Sequence, residues 1–70
     1  MRTYQVQSGR FDIAFHVIGR FKVVGDRVAR ERFEKRYKEN PNYAWAWLKL
    51  ERVTKRGKVT LIATNHKKED

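Results

Sequence analysis

NYAWAWLKLERV, residues 42–53, is the stretch whose reading decides the fold. With a period of two, Tyr43, Trp45, Trp47, Lys49 and Glu51 share one side, and Ala44, Ala46, Leu48 and Leu50 share the other. Both sides begin apolar, so each has a claim to be buried. A chain of 70 residues with one helix can cover only one face of a sheet. A helix packs closest over small and medium aliphatics, which assigns it to the alanine–leucine side and turns the aromatics outward. Three destinations for those aromatics stay open. They form the core after all, since large rings bring the most buried area to a small domain. They are a platform on which bases of single-stranded nucleic acid stack. Or they are buried against a second copy in a homodimer.

Working outward, TKRG (54–57) reads as a hairpin turn in which Gly57 supplies a positive φ, and the strand VTLIAT follows. The final residues, NHKKED (65–70), read as a frayed polar tail. Upstream, GDRVARERFEKRYKENP (25–41) has the spacing of a helix. Asp26 is its expected N-cap, Pro41 ends it, and Ala29, Phe33 and Tyr37 form its apolar stripe, with Val28 at the edge. On its outer side the pairs Glu31–Lys35 and Glu34–Lys38 balance charge. Arg32 and Arg36 fall at the border of the buried stripe, where their stems cover the sheet edge or their heads meet phosphates at its rim.

Two strands precede the helix. TYQVQ (3–7) alternates and is closed by the turn formers Ser8 and Gly9. FDIAFHVIGRFKVV (11–24) alternates for longer, with Phe11, Ile13, Phe15 and Val17 on a strongly apolar face opposite Asp12, Ala14, His16 and Ile18. Gly19 interrupts this pattern with a bulge or bend, after which Phe21 and Val23 resume it. The expected fold is α+β: a single small domain over residues 1–70, an antiparallel sheet of about four strands in ββαββ order, and one helix packed on one face.

Seventeen Lys and Arg against eight Asp and Glu give a net charge of +9, which favours a polyanionic partner. With no cysteine there is no disulfide and no thiol chemistry. No apolar run approaches the roughly 18 residues of a membrane span, no segment joins a basic face to a continuous apolar stripe, and MRTYQVQSGR (1–10) lacks a leader's apolar segment. A cytoplasmic location without a membrane partner is expected, which is the host cytoplasm if the protein is viral. Ser8 is the only serine, and His16 and His66 are far apart in sequence. Asp12, Asp26 and Glu51 sit on different elements, and the four glycines form no phosphate-cradling loop. The pattern therefore points to a protein without catalysis, metal or cofactor.

The leading functional expectation is binding of DNA or RNA with little sequence preference. Tyr43, Trp45 and Trp47 would stack bases, while Lys49, Arg52, Lys55, Arg56 and Lys58, together with Arg20 and Lys22 on the second strand and Arg32 and Arg36 on the helix, would hold phosphates. The competing expectation is a protein-interaction module, for example a phage-type inhibitor or adaptor of host machinery, that sets the same aromatic face against an acidic protein partner or a second copy of itself.

Overall fold

The structure, a computed structural model, describes residues 1–10, 12–44 and 46–65. The expectations for Phe11, Trp45, His66 and the tail beyond Asn65 fall outside these residues. The fold is α+β: strands β1 (Arg2–Arg10) and β2 (Ile13–Val23), helix α1 (Asp26–Phe33), then β3 (Trp47–Val53) and β4 (Val59–Thr64). The strands form one antiparallel sheet in the order β2-β1-β3-β4, so the first strand of each hairpin lies in the middle and β2 and β4 are its edges.

One face of the sheet is the core. Tyr4 and Val6 of β1, Val23 of β2, and Leu48 and Leu50 of β3 meet Ala29 and Phe33 of the helix, all of them buried. Full burial of the larger of these side chains contributes about 1.5–3 kcal/mol each. Of the alanine–leucine side of residues 44–50, Leu48 and Leu50 thus do lie under the helix in one cluster with Phe33, Ala46 is buried just before the strand, and Ala44 is exposed in the turn ahead of it. Tyr37 extends the helical stripe from a single π-helical turn, Glu34–Lys38, closed by the Glu39 amide donating to the Glu34 carbonyl at 2.8 Å. A Cβ at Gly19 would sit 2.3 Å from the Tyr37 hydroxyl, so this glycine is the floor on which the tyrosine rests.

The bulge beside Gly19 has a larger effect than the sequence pattern suggests. Val6 pairs with Gly19, but Gln7 pairs with Val17, leaving Ile18 as the extra residue. An inserted residue exchanges the two faces of a strand. Phe21 and Val23 therefore point to the helix, while Val17, on the same odd-numbered stripe, points away from it.

Four local expectations are corrected. Ser8 and Gly9 do not turn the chain; β1 runs on to Arg10, because pairing on both sides outweighs their turn propensity. Asp26 is not the N-cap. Gly25 takes that place, and the Asp26 carboxylate accepts hydrogen bonds from the Tyr4 hydroxyl and from Arg52 Nη1 instead. On the helix surface Glu31 reaches back to Arg27 at 3.8 Å rather than forward to Lys35. Asn65 is held and does not fray: its Oδ1 accepts from the Leu48 amide and its Nδ2 donates to the Ala46 carbonyl, both at 2.8 Å, prolonging the β4 ladder with a side chain. The β3–β4 turn is as expected, with Gly57 at φ +84° and Thr54 N donating to Lys58 O at 2.9 Å.

Candidate functional site

Residues opposite one another in antiparallel strands share a face, so the strand register defines four rows across the face that the helix leaves uncovered. From β2 to β4, the first is Lys22–Thr3–Val53–Val59 and the second Arg20–Gln5–Glu51–Leu61. The third is Val17–Gln7–Lys49–Thr64, and the last pairs Gly9 with Trp47 and carries the ring of Phe15 over Gly9. Three cations, Arg20, Lys22 and Lys49, therefore share a surface with one carboxylate and two aromatic rings.

The aromatic corner is built on bare backbone. An added Cβ at Gly9 would lie 3.1–3.2 Å from three atoms of the Phe15 ring, so the ring lies across the glycine and would have to give by a few tenths of an ångström for any other residue there. Lys49 Nζ stands over that ring, 3.9 Å from its centroid, a cation–π contact that holds the ammonium on the ring face. Trp47 is 42% exposed on the same corner. The middle of the face is polar. Gln5 Nε2 donates to Glu51 Oε1 at 2.9 Å, Gln7 Nε2 donates to the same oxygen, and Glu51 is only 8% exposed.

The expected binding residues divide into three groups. Trp47, Lys49, Arg20 and Lys22 come together on the uncovered face. Lys55, Arg56 and Lys58 stand exposed on the β3–β4 turn, beside a cleft of about 480 Å³ lined by Met1, Arg2, Thr3, Arg52, Val53, Thr54 and Lys55. The third group is elsewhere. Arg52 faces the helix side, where Nη1 donates to both carboxylate oxygens of Asp26 at 2.9 and 2.8 Å. Arg32 lies over the Phe21 ring at 5.3 Å, covering the core edge with its stem. Arg36 is exposed on the π-helical turn.

Tyr43 is not on the strand at all. Asn40-Pro41-Asn42 folds into a 3-10 turn, Pro41–Tyr43, capped by Asn40 Oδ1 accepting from the Asn42 amide at 2.9 Å. The Tyr43 ring packs on Tyr37 with centroids 5.5 Å apart, against the core, as the buried reading of the aromatics requires. The tryptophan and the tyrosine of one apparent stripe thus part company: Tyr43 is packing and Trp47 is surface.

Sequence reasoning missed Phe15, which reads as core because the odd-numbered stripe runs unbroken from Phe11 to Val23. Its signal was Gly19, taken as a place where the faces exchange. The Gln5–Gln7–Glu51 group was missed as well, since only the β1–β3 register brings it together.

Among the described residues no three His, Asp or Glu side chains gather as a metal site, and no helix is long and apolar enough to cross a membrane. Comparison with protein families, with curated proteins and with solved structures gives no match to this chain.

Proposed function

We propose that this protein is a non-enzymatic nucleic-acid-binding domain that holds single-stranded DNA or RNA on the uncovered face of its sheet, with little sequence preference. The observation that carries the reading is the corner where Phe15 and Trp47 lie beside Lys49, with Arg20 and Lys22 across the same face, in a chain of net charge +9. Bases stack on sheet aromatics, and adjacent cations neutralise the phosphates between them. The Lys55–Lys58 turn extends the cationic track past the end of the sheet.

The test is tryptophan fluorescence during titration with short single-stranded oligonucleotides at several salt concentrations. The expected result is saturable quenching, with log affinity falling by about 0.7 for each phosphate contact per tenfold rise in salt. Trp47→Ala weakens binding by about 1–3 kcal/mol while leaving the salt slope in place, because it removes stacking and no charge. An affinity indifferent to salt overturns the reading.

A second reading, a protein-binding face, draws on Val59 and Leu61, which are 45% and 56% exposed at the β4 edge of the same surface. It expects no useful affinity for oligonucleotides and a stable complex with an acidic protein.

A further inference from the structure

The two glutamines and the glutamate in the middle of the uncovered face are arranged in a way that a merely solvated surface does not need. A carboxylate only accepts hydrogen bonds, so both amide nitrogens that meet Glu51 Oε1 are fixed in orientation. The amide oxygens of Gln5 and Gln7 must then point elsewhere. Among the described residues neither of these oxygens, nor Glu51 Oε2, receives a hydrogen bond, and no fully buried side-chain oxygen is left without a partner, so each keeps a small exposed surface although Gln5 and Glu51 are each only 8% exposed. What the centre of the face presents outward is a set of acceptors. The neighbouring donors, Arg20 and Lys49, stand in the same rows on either side.

We infer that this acceptor set selects bases carrying an exocyclic amino group, with Glu51 as the residue that determines the preference. The inference rests on the nucleic-acid reading above and refines it from indifference to sequence toward a bias in base composition. A nucleotide stacked on Trp47, next to the Phe15 ring that Lys49 covers, places the following one over the Gln7–Lys49 and Gln5–Glu51 rows, with the Lys49 ammonium between the two to meet the phosphate. There the amino group of cytosine donates to the free acceptors. Thymine and uracil present a carbonyl at the equivalent position, and their one donor on that edge, N3–H, lies between two carbonyls, so the acceptor nearest the carbonyl is left without a hydrogen. Acceptor against acceptor leaves buried polar groups unpaired, and that mismatch discriminates more strongly than the lost bond alone.

The comparison uses homopolymers of deoxycytidine and deoxythymidine of one length and one salt concentration, so that charge and ring size are matched. The native protein is expected to bind the cytosine strand about tenfold more tightly. In Glu51→Gln the ratio of the two affinities falls toward one. Both affinities rise there, because a negative charge has left the surface; the ratio is the readout. A cytosine homopolymer dimethylated at N4 keeps the ring but has no donor, and it should bind the native protein no better than the thymidine strand; this arm needs no variant to fold. Equal binding of the cytosine and thymidine strands by the native protein overturns the inference and leaves the nucleic-acid reading standing. So does an unchanged ratio in Glu51→Gln, or undiminished binding of the dimethylated strand. Absence of binding to every strand overturns the reading itself.

Discussion

At the scale of single residues, two glycines set what the sheet can carry on each face. Gly9 lets Phe15 lie flat on the uncovered side, and Gly19 lets Tyr37 reach down on the helix side. The second is the sharper case. The clash at Gly19 is with a hydroxyl oxygen 2.3 Å away, whereas the ring carbon behind it is at 3.4 Å, close to ordinary contact. Gly19→Ala should therefore destabilise the protein by about 1–3 kcal/mol, the usual range for overpacking. Tyr37→Phe in the same chain should recover most of that loss. Denaturant unfolding of the two single variants and the double variant closes the cycle. Additive losses would mean that the strain lies in the bulge backbone and not in the hydroxyl.

At the scale of elements, the order ββαββ, the helical stripe and the Leu48–Leu50 contact were legible in the sequence because each depends on local periodicity. The turn at residues 54–57 was legible for a similar reason: only glycine adopts the φ of +84° at position 57 without strain. Gly57→Ala is expected to cost about 1–2 kcal/mol, read from the denaturant midpoint. What the sequence left hidden is non-local. A period-two pattern says that a face is apolar but not which face, and one extra residue at Ile18 reassigns Val17 and Phe15, until a second shift in register between Ser8 and Arg10 exchanges the faces again. Tyr43 and Trp47 share a parity in the sequence, yet the strand begins only at Trp47 because Asn40 caps a 3-10 turn just ahead of it. Ser8 and Gly9 look like a turn until β3 is known to lie beside them. The candidate site was half legible: its cations and Trp47 follow from alternation, whereas Phe15 and the Gln5–Gln7–Glu51 group follow only from register.

At the scale of the whole molecule, one carboxylate ties three elements together. Asp26, in the first turn of α1, accepts from Tyr4 of β1 and Arg52 of β3, with Arg2 Nη1 3.8 Å away. The Tyr4 hydroxyl first, then Arg52, holds the Asp26 carboxyl below the usual carboxylate range against the opposing effect of desolvation. Burial first, and then the bond to Asp26, pushes the Tyr4 phenol above its usual range. A depressed carboxylate contributes stability that is complete above its unfolded pKa of about 4 and is lost as pH falls through the lower folded value. A raised phenol contributes stability that is complete below about pH 10 and is lost as pH rises through the higher folded value. Both contributions are present together across the neutral range. In a chain of net charge +9, acid also strengthens self-repulsion as the other carboxylates protonate, so a fall in stability at low pH is not by itself diagnostic. Asp26→Asn isolates the tie, because the background repulsion is common to both proteins. The native chain should exceed the variant in unfolding free energy at neutral pH, and the gap should close as pH drops below about 4. Tyr4→Phe should lose its difference from the native chain at the alkaline end instead. A gap between the native chain and Asp26→Asn that stays constant from neutral to strongly acid pH would show that the contacts at this junction hold the fold by packing and neutral hydrogen bonding, and that the charge on Asp26 contributes nothing to it.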